Sequence, residues 1–339
     1  MNNKIDLISL EITWNSLKSI ADESYITLMK SAFSTNIKER HDHSTAITNS
    51  EGKLIAQAEN ALPAHLASMG GLIQHVLDEY KDNINEGDIF IANDPHVAGG
   101  THLPDINMAM PVFNKGTLLG FVANIVHHAD VGGAAVGSMS GGLNEIYKEG
   151  LRIPLVRLYN KGKIVKDIQR LLLLNMRLPD ERKGDLNAQI SACRLGVKRI
   201  QELLSKHGAS YLNTAFEEIL KRSKLRMQKA ISKLPDGNYT FTDYMDDDGL
   251  NTKNIKISVD IKKKGKKILF DFSKTDDQVD GNFNLTFNAT QSSVCYSLKA
   301  LLDPELPNNS GIFDAIDIKI PTGSLLNCIA PASVALRLN

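Results

Sequence analysis

Thr117-Leu-Leu-Gly-Phe-Val-Ala-Asn-Ile-Val-His-His-Ala-Asp130 is the stretch from which the fold is best read. Its Leu118-to-Val126 run is apolar enough for a strand in the middle of a sheet, covered on both faces. Residues 108–113 ahead of it form a second arm, and Asn114-Lys115-Gly116 supplies the turn, so residues 108–127 read as a hairpin. Past His127 the character changes at once. A loop rich in Gly, Ala and Ser runs to Gly142, with glycine pairs at 132–133 and 141–142. Such loops let a backbone approach a ligand closely or move as a lid.

Outward from this hairpin the pattern alternates between strand and helix. Leu10, Trp14, Leu17, Ala21, Tyr25, Leu28 and Ala32 recur at steps of three and four and predict one long helix with a packing stripe. Residues 44–58 read as a hairpin around Asn49-Ser-Glu-Gly-Lys53, residues 66–80 as a helix and residues 88–92 as a short strand. Residues 167–232 turn helical, 236–273 return to strands around a Lys-Gly-Lys turn, and 289–302 read as a further helix. The expected fold is mixed α/β (α+β): a long N-terminal helix, mixed β-sheet hairpins carrying a metal site, a helical middle segment and a second strand-rich region. The expected divisions are 1–160 for the α/β metal-site region, 161–235 for the helical region and 236–339 for the strand-rich region. The last stretch, Ala330-Pro-Ala-Ser-Val-Ala-Leu-Arg-Leu-Asn339, is still apolar and patterned, which reads as a fold incomplete at its C-terminus.

Composition narrows the function classes. Lys plus Arg (39) equals Asp plus Glu (39), which argues against a nucleic-acid or anionic-membrane footprint. The cluster at residues 262–267 reads as a solvated hairpin tip. Cys193, Cys295 and Cys328 lie far apart and form no C-x-x-C pair, which suits a reducing cytoplasm and argues against both a disulfide framework and a thiolate metal site. The sequence carries no signal-peptide core after Met1 and no apolar run near the roughly 20 residues that span a bilayer.

Three polar clusters could carry chemistry: Arg40-His-Asp-His43, Asn93-Asp-Pro-His96 with Gly99-Gly-Thr-His-Leu-Pro-Asp105, and His127-His-Ala-Asp130. They hold six of the nine histidines, so a divalent-metal site of Asp and His donors is the expectation. Imidazole and carboxylate suit Zn²⁺, Mn²⁺ or Fe²⁺, and the lack of thiolate leans away from purely structural zinc. Pro104 puts the His102-x-x-Asp105 pair on a turn. His127 ends an apolar strand, a rigid support for a ligand. Asp94 before Pro95 reads first as a turn initiator. On a strand only one of the alternating sets at 40–43 can face a pocket, so if Asp42 faces in, His41 and His43 do not. Walker, Rossmann, His-Glu-x-x-His and Gly-x-Ser-x-Gly motifs are absent, and Gly132-Gly-Ala-Ala-Val-Gly-Ser138 lacks the lysine of a phosphate loop. Nucleotide chemistry is therefore expected on another chain or at a site without a recognised motif.

The chain resembles the hydantoinase B family, which includes the B-type subunit of N-methylhydantoinase, the matching half of 5-oxoprolinase, caprolactamase and the alpha subunit of acetone carboxylase. The matching stretches are Glu39-Arg-His-Asp-His-Ser44, Pro63-Ala-His-Leu-Ala-Ser-Met-Gly70, Asn93-Asp-Pro95, Gly100-Thr-His-Leu-Pro-Asp-Ile106 and His127-His-Ala-Asp-Val-Gly-Gly133. Gly184-Asp-Leu-Asn-Ala-Gln-Ile190, Asp271-Phe-Ser-Lys-Thr275 and Pro321-Thr-Gly-Ser-Leu-Leu-Asn327 follow in order.

The resemblance implies one divalent ion (Zn, Mn or Fe) held by Asp42, His102, Asp105 and His127. His65, His128 and Asp130 become candidates for proton transfer or for supporting the ligands, with structural hydrogen bonding as the alternative. It also implies an ATP-binding hydantoinase A-type partner subunit that phosphorylates a small cyclic amide in a hetero-oligomer; composition, cysteine usage and hydropathy add the expectation of a cytoplasmic setting with no nucleic acid and no membrane. The expected activity is hydrolysis of a hydantoin or 5-oxoproline type of substrate by metal-activated water. The alternatives are a ketone carboxylase alpha-type subunit and a partner-binding or inactive fragment. Family members generally continue beyond residue 339, so pocket closure and partner docking are the functions that a shorter chain puts at risk.

Overall fold

The computed structural model describes residues 5–336. Asp6 caps the first helix, α1 (Leu7–Ser31), by accepting from the backbone N–H groups of Ile8 and Ser9. Leu10, Leu17, Ala21, Tyr25 and Leu28 of the predicted stripe are buried along it. A single turn, α2 (Thr35–Lys38), follows, and then the hairpin of β1 (His43–Asn49) and β2 (Leu54–Gln57). Helix α3 (Ser68–Tyr80) and strand β3 (Ile89–Ala92) lead into the long hairpin of β4 (Asp105–Asn114) and β5 (Thr117–His127). Strand β4 starts three residues earlier than the apolar pattern indicated, because its opening residues Asp105 and Asn107 are polar yet buried.

A further small hairpin, β6 (Val156–Asn160) and β7 (Lys163–Ile164), has no counterpart in the sequence pattern. Its strands are short and half-buried, so the alternation that marks a strand is weak there. The helical segment resolves into α4 (Lys166–Leu174), α5 (Pro179–His207) and α6 (Ala209–Ile231). Pro179 starts α5 at a position where its missing N–H costs nothing, and Gly208, at φ 79°, separates α5 from α6. The second strand-rich region contains β8 (Gly237–Asp247), β9 (Lys253–Lys264) and β10 (Lys267–Asp271), then α7 (Phe287–Leu302), the short α8 (Ser310–Phe313) and β11 (Asp317–Lys319). At the β9–β10 tip Lys262, Lys264, Lys266 and Lys267 are exposed, while Lys263 turns inward to Asp236. Of the final patterned stretch, Arg337-Leu-Asn339 lies outside the described residues.

The first sheet has the order β2-β1-β5-β4-β3-β6-β7 with antiparallel pairing throughout, which puts β5 between β1 and β4. The second has the order β11-β10-β9-β8, with only β10 and β11 parallel. Alternation along β5 assigns its two faces. Val122 packs with α1, α5 and α6, whereas Phe121, Ala123 and Ile125 pack with α3, α7 and the apolar face of the second sheet. Both faces are therefore covered, as the apolar run requires.

Candidate metal centre

Strand register brings three donors into one row. Asp105, the first residue of β4, is paired with His127, the last of β5. His43 pairs with Val126, so Asp42, one residue before β1, lies beside His127, whose N–H donates to the Asp42 carbonyl at 3.0 Å. Period-two alternation puts Asp42, Asp105 and His127 on the face that carries Ala46, Ala109, Ala123 and Ile125, the face under α3. The same alternation sends His43 to the other face, where its ring stacks on Tyr25 at 3.9 Å; burial pushes its pKa down to about 4. His41, at φ 56°, is exposed in the bend that precedes β1. Asp185 of α5 accepts from the N–H groups of Phe33 and Ser34 at 2.7 and 3.0 Å, which fixes the junction between α1 and α2.

His102 arrives on the turn that Pro104 predicts. Asn93 ties that turn down by donating to the carbonyls of Leu103 (2.7 Å) and Leu151 (2.9 Å) and accepting from Ile153. The loop lies hard against α3, and glycine is required on both sides of the crossing. A Cβ on Gly99, which is at φ 72°, would stand 2.7 Å from the Gly71 Cα. The Pro63–His65 turn then adds His65, whose Nδ1 is 3.0 Å from the Ser44 hydroxyl.

Donor atoms converge as a nearly equilateral triangle. His102 Nε2 is 3.2 Å from both Asp105 Oδ1 and His127 Nδ1, and His127 Nδ1 is 3.3 Å from Asp105 Oδ1. Asp42 Oδ2 stands 3.6 Å from His127 Nδ1, and His65 Nε2 stands 3.5 Å from Asp105 Oδ2. Donors at about 2.0–2.2 Å from one ion are separated from each other by roughly 3.0–3.5 Å. The triangle therefore fits a first-row divalent ion without rearrangement.

The two oxygens of Asp105 have separate surroundings. Oδ2 faces His65 and the Thr101 hydroxyl, which donates to it, and Oδ1 faces the two imidazoles. His102 Nδ1 lies 3.0 Å from the Ala335 carbonyl. A carbonyl only accepts, so Nδ1 carries the proton and Nε2 keeps a lone pair for an ion. Asp105 and the His102 and His65 rings are almost wholly buried, whereas the Asp42 side chain is 32% exposed, so the cluster opens to solvent on the Asp42 side.

The remaining candidates lie elsewhere. His128 follows His127 and so points to the opposite face. There its Nε2 meets Gln189 Oε1 of α5 at 2.9 Å, and burial pushes its pKa down to about 4. Gln189 also donates to the Ile106 carbonyl and to Asn124 Oδ1, so it braces β4 and β5 just behind the donors. Asp130 accepts from the N–H groups of Gly132, Gly137 and Arg177 and from the Arg177 guanidinium. Burial raises its pKa, but these donors outweigh that and hold it below the usual carboxylate value. It thus organises the glycine-rich loop. Gly132 and Gly133 of that loop press against the backbones of Asn175 and Glu149 rather than framing an open pocket. Asp94 takes the His96 N–H as a turn initiator and pairs with Arg152 at 2.7 Å.

Comparison with known proteins agrees with this architecture. The family model described as Hydantoinase B/oxoprolinase matches residues 6–338. A protein of Methanocaldococcus jannaschii is 40% identical over 98% of this chain and 58% of its own length. The caprolactamase subunit beta of Pseudomonas jessenii is 31% identical over 97% of this chain and 56% of that subunit. The crystal structure of the ATP-dependent caprolactamase from that organism superposes with a TM-score of 0.90 at 29% identity, covering 99% of this chain and 58% of that one. A nucleotide-free acetone carboxylase structure shares the fold, with a TM-score of 0.90 at 19% identity over 97% of this chain and 45% of that one. The chain spans less than three fifths of the length of each.

Proposed function

We propose, from the premise that this chain belongs to the hydantoinase B/oxoprolinase family, that it is the metal-bearing subunit of an ATP-dependent cyclic-amide hydrolase. The observation that carries the reading is the donor triangle of His102, Asp105 and His127, flanked by Asp42 at the solvent side. These four residues would hold one divalent ion (Zn, Mn or Fe). Such an ion, when bound, lowers the pKa of water and stabilises developing negative charge on oxygen.

The chain's own residues set the conditions for this. Asp105 turns one oxygen to the imidazoles because Thr101 and His65 occupy its other side. His65, backed by the Ser44 hydroxyl, is the proton-transfer candidate closest to the donors. Asp42 is the member that solvent and substrate can reach. His128 and Asp130 act from a distance, by bracing the strand end and the adjoining loop. Amides are poor electrophiles, and phosphorylation of the amide oxygen makes the carbon reactive. That step falls to an ATP-binding A-type partner subunit, which would complete a hetero-oligomer. A caprolactamase relative carries both ATP dependence and a subunit designation in its names. A cytoplasmic setting suits ATP consumption and three free buried cysteines.

The test is reconstitution. The chain is mixed with its A-type partner, ATP and hydantoin, 5-oxoproline or lactam candidates, and ring opening is followed by mass spectrometry. The reading requires ring opening that depends on both ATP and divalent metal. Metal-independent ring opening, or bicarbonate-dependent consumption of ketones instead, would overturn it.

A further inference from the structure

We infer that Glu149 is a positioning residue for His102, acting through the backbone of residues 333–335. The inference rests on reading the donor cluster as a metal site. Glu149 follows the short turn Ile146–Lys148 and is completely buried. A buried carboxylate is costly unless donors meet it. Here Oε1 accepts from three consecutive residues: the Ser333 hydroxyl at 2.5 Å, the Val334 N–H at 2.6 Å and the Ala335 N–H at 2.8 Å. Charge-assisted bonds of this length are strong and directional. They fix the backbone of Ala335, whose carbonyl lies 3.0 Å from His102 Nδ1.

The relay therefore runs from a carboxylate through one short strap of backbone to a donor ring. Its foundation is equally fixed, because Ala134 N–H donates to the Lys148 carbonyl at 2.8 Å and Gly133 packs against the Glu149 backbone. Asn284 holds the Ser333 carbonyl at 3.0 Å, and Leu336 N–H donates to the Asn282 carbonyl at 2.9 Å. Those contacts hold the strap on its other side. The Glu149 carboxylate grips the amides of Val334 and Ala335 themselves. It sets the tautomer and tilt of His102, and through them the direction of the Nε2 lone pair.

The experiment compares the full chain with Glu149→Gln, Glu149→Ala and Ser333→Ala. Histidine ring ¹⁵N–¹H NMR of metal-free protein reports the His102 tautomer, assigned by its loss in His102→Gln. Chelator competition and the visible spectrum of bound Co²⁺ report affinity and ligand geometry, and circular dichroism reports folding. Wild type should show an Nδ1–H tautomer at His102. Glu149→Ala should mix the tautomers and weaken Co²⁺ by about 10–100-fold, the usual cost of losing an outer-shell partner. Glu149→Gln and Ser333→Ala should shift both readouts the same way by less, and they decide the matter if Glu149→Ala does not fold. Folded variants with the wild-type tautomer and wild-type Co²⁺ affinity would overturn the inference. A wild type that binds no Co²⁺ would instead overturn the metal-site reading, while the tautomer measurement still decides the role of Glu149.

Discussion

Asp105→Asn removes one charge from the middle of the donor cluster and almost no volume. The carboxylate is fully buried, with imidazole nitrogens at 3.2 and 3.3 Å from Oδ1 and a third at 3.5 Å from Oδ2. The amide is nearly isosteric, so no cavity opens and the metal-free fold should survive. With free metal at about 1,000 times its dissociation constant, the wild type gains about 4 kcal/mol from binding. A ligand replacement costs at least the roughly 100-fold at the upper end for outer-shell changes, which would cut that gain to ~1.4 kcal/mol. At about 2 °C per kcal/mol for a chain of this size, a metal-induced rise near 8 °C should shrink to ~3 °C. The assay is calorimetric melting of chelator-stripped protein with and without Zn²⁺, Mn²⁺ or Co²⁺, alongside elemental analysis. Asp94→Asn serves as control, because Asp94 pairs with Arg152 away from the donors. Retention by Asp105→Asn of both the wild-type metal-induced shift and one ion per chain would refute a ligand role for Asp105.

Other consequences are open to simple measurements. Gly99→Ala places a Cβ 2.7 Å from the Gly71 Cα at a positive φ, so it should lower the melting temperature by several degrees and weaken metal binding together. Asp130→Ala should loosen the glycine-rich loop, seen as faster hydrogen exchange over residues 131–138, yet leave metal content unchanged; loss of the ion would contradict its structural role. Burial pushes the thiols of Cys193 and Cys328 up to about 12 and raises that of Cys295 as well, so a thiol reagent should react only after unfolding, and rapid native labelling would refute this. The Asp271 carboxyl is held down at about 2, first by Ser273 and then by Lys319. Its contribution is present above the unfolded value near 3.8 and lost as pH falls through 2, so Asp271→Asn should destabilise at pH 7 and converge on wild type only below pH 2.

Some of this architecture was legible because the physics is local. The apolar run of β5 needs cover on both faces, and it has α1 and α5 on one and α3 with α7 on the other. The α1 stripe and the Pro104 turn are likewise local signals. The β6–β7 hairpin escaped because two short, half-buried strands carry little alternation. The histidine pair at 127–128 shows a signal present but unused: period two sends His127 to the donors and His128 to Gln189 on α5. The same alternation places Asp42 and His43 on opposite faces. Glu149 could not be found by spacing, since its partners are almost two hundred residues away and its link to His102 passes through backbone. Nor does sequence distance reveal that Asp42 and His127 are neighbours across β1 and β5; only register does.

Anomalous diffraction at the absorption edge of an ion soaked into crystals of this chain would locate the metal itself. One peak per chain is expected within about 2.0–2.3 Å of His102 Nε2, His127 Nδ1, Asp105 Oδ1 and Asp42 Oδ2. A peak elsewhere, or an empty cluster at saturating metal, would contradict a metal centre at these four residues.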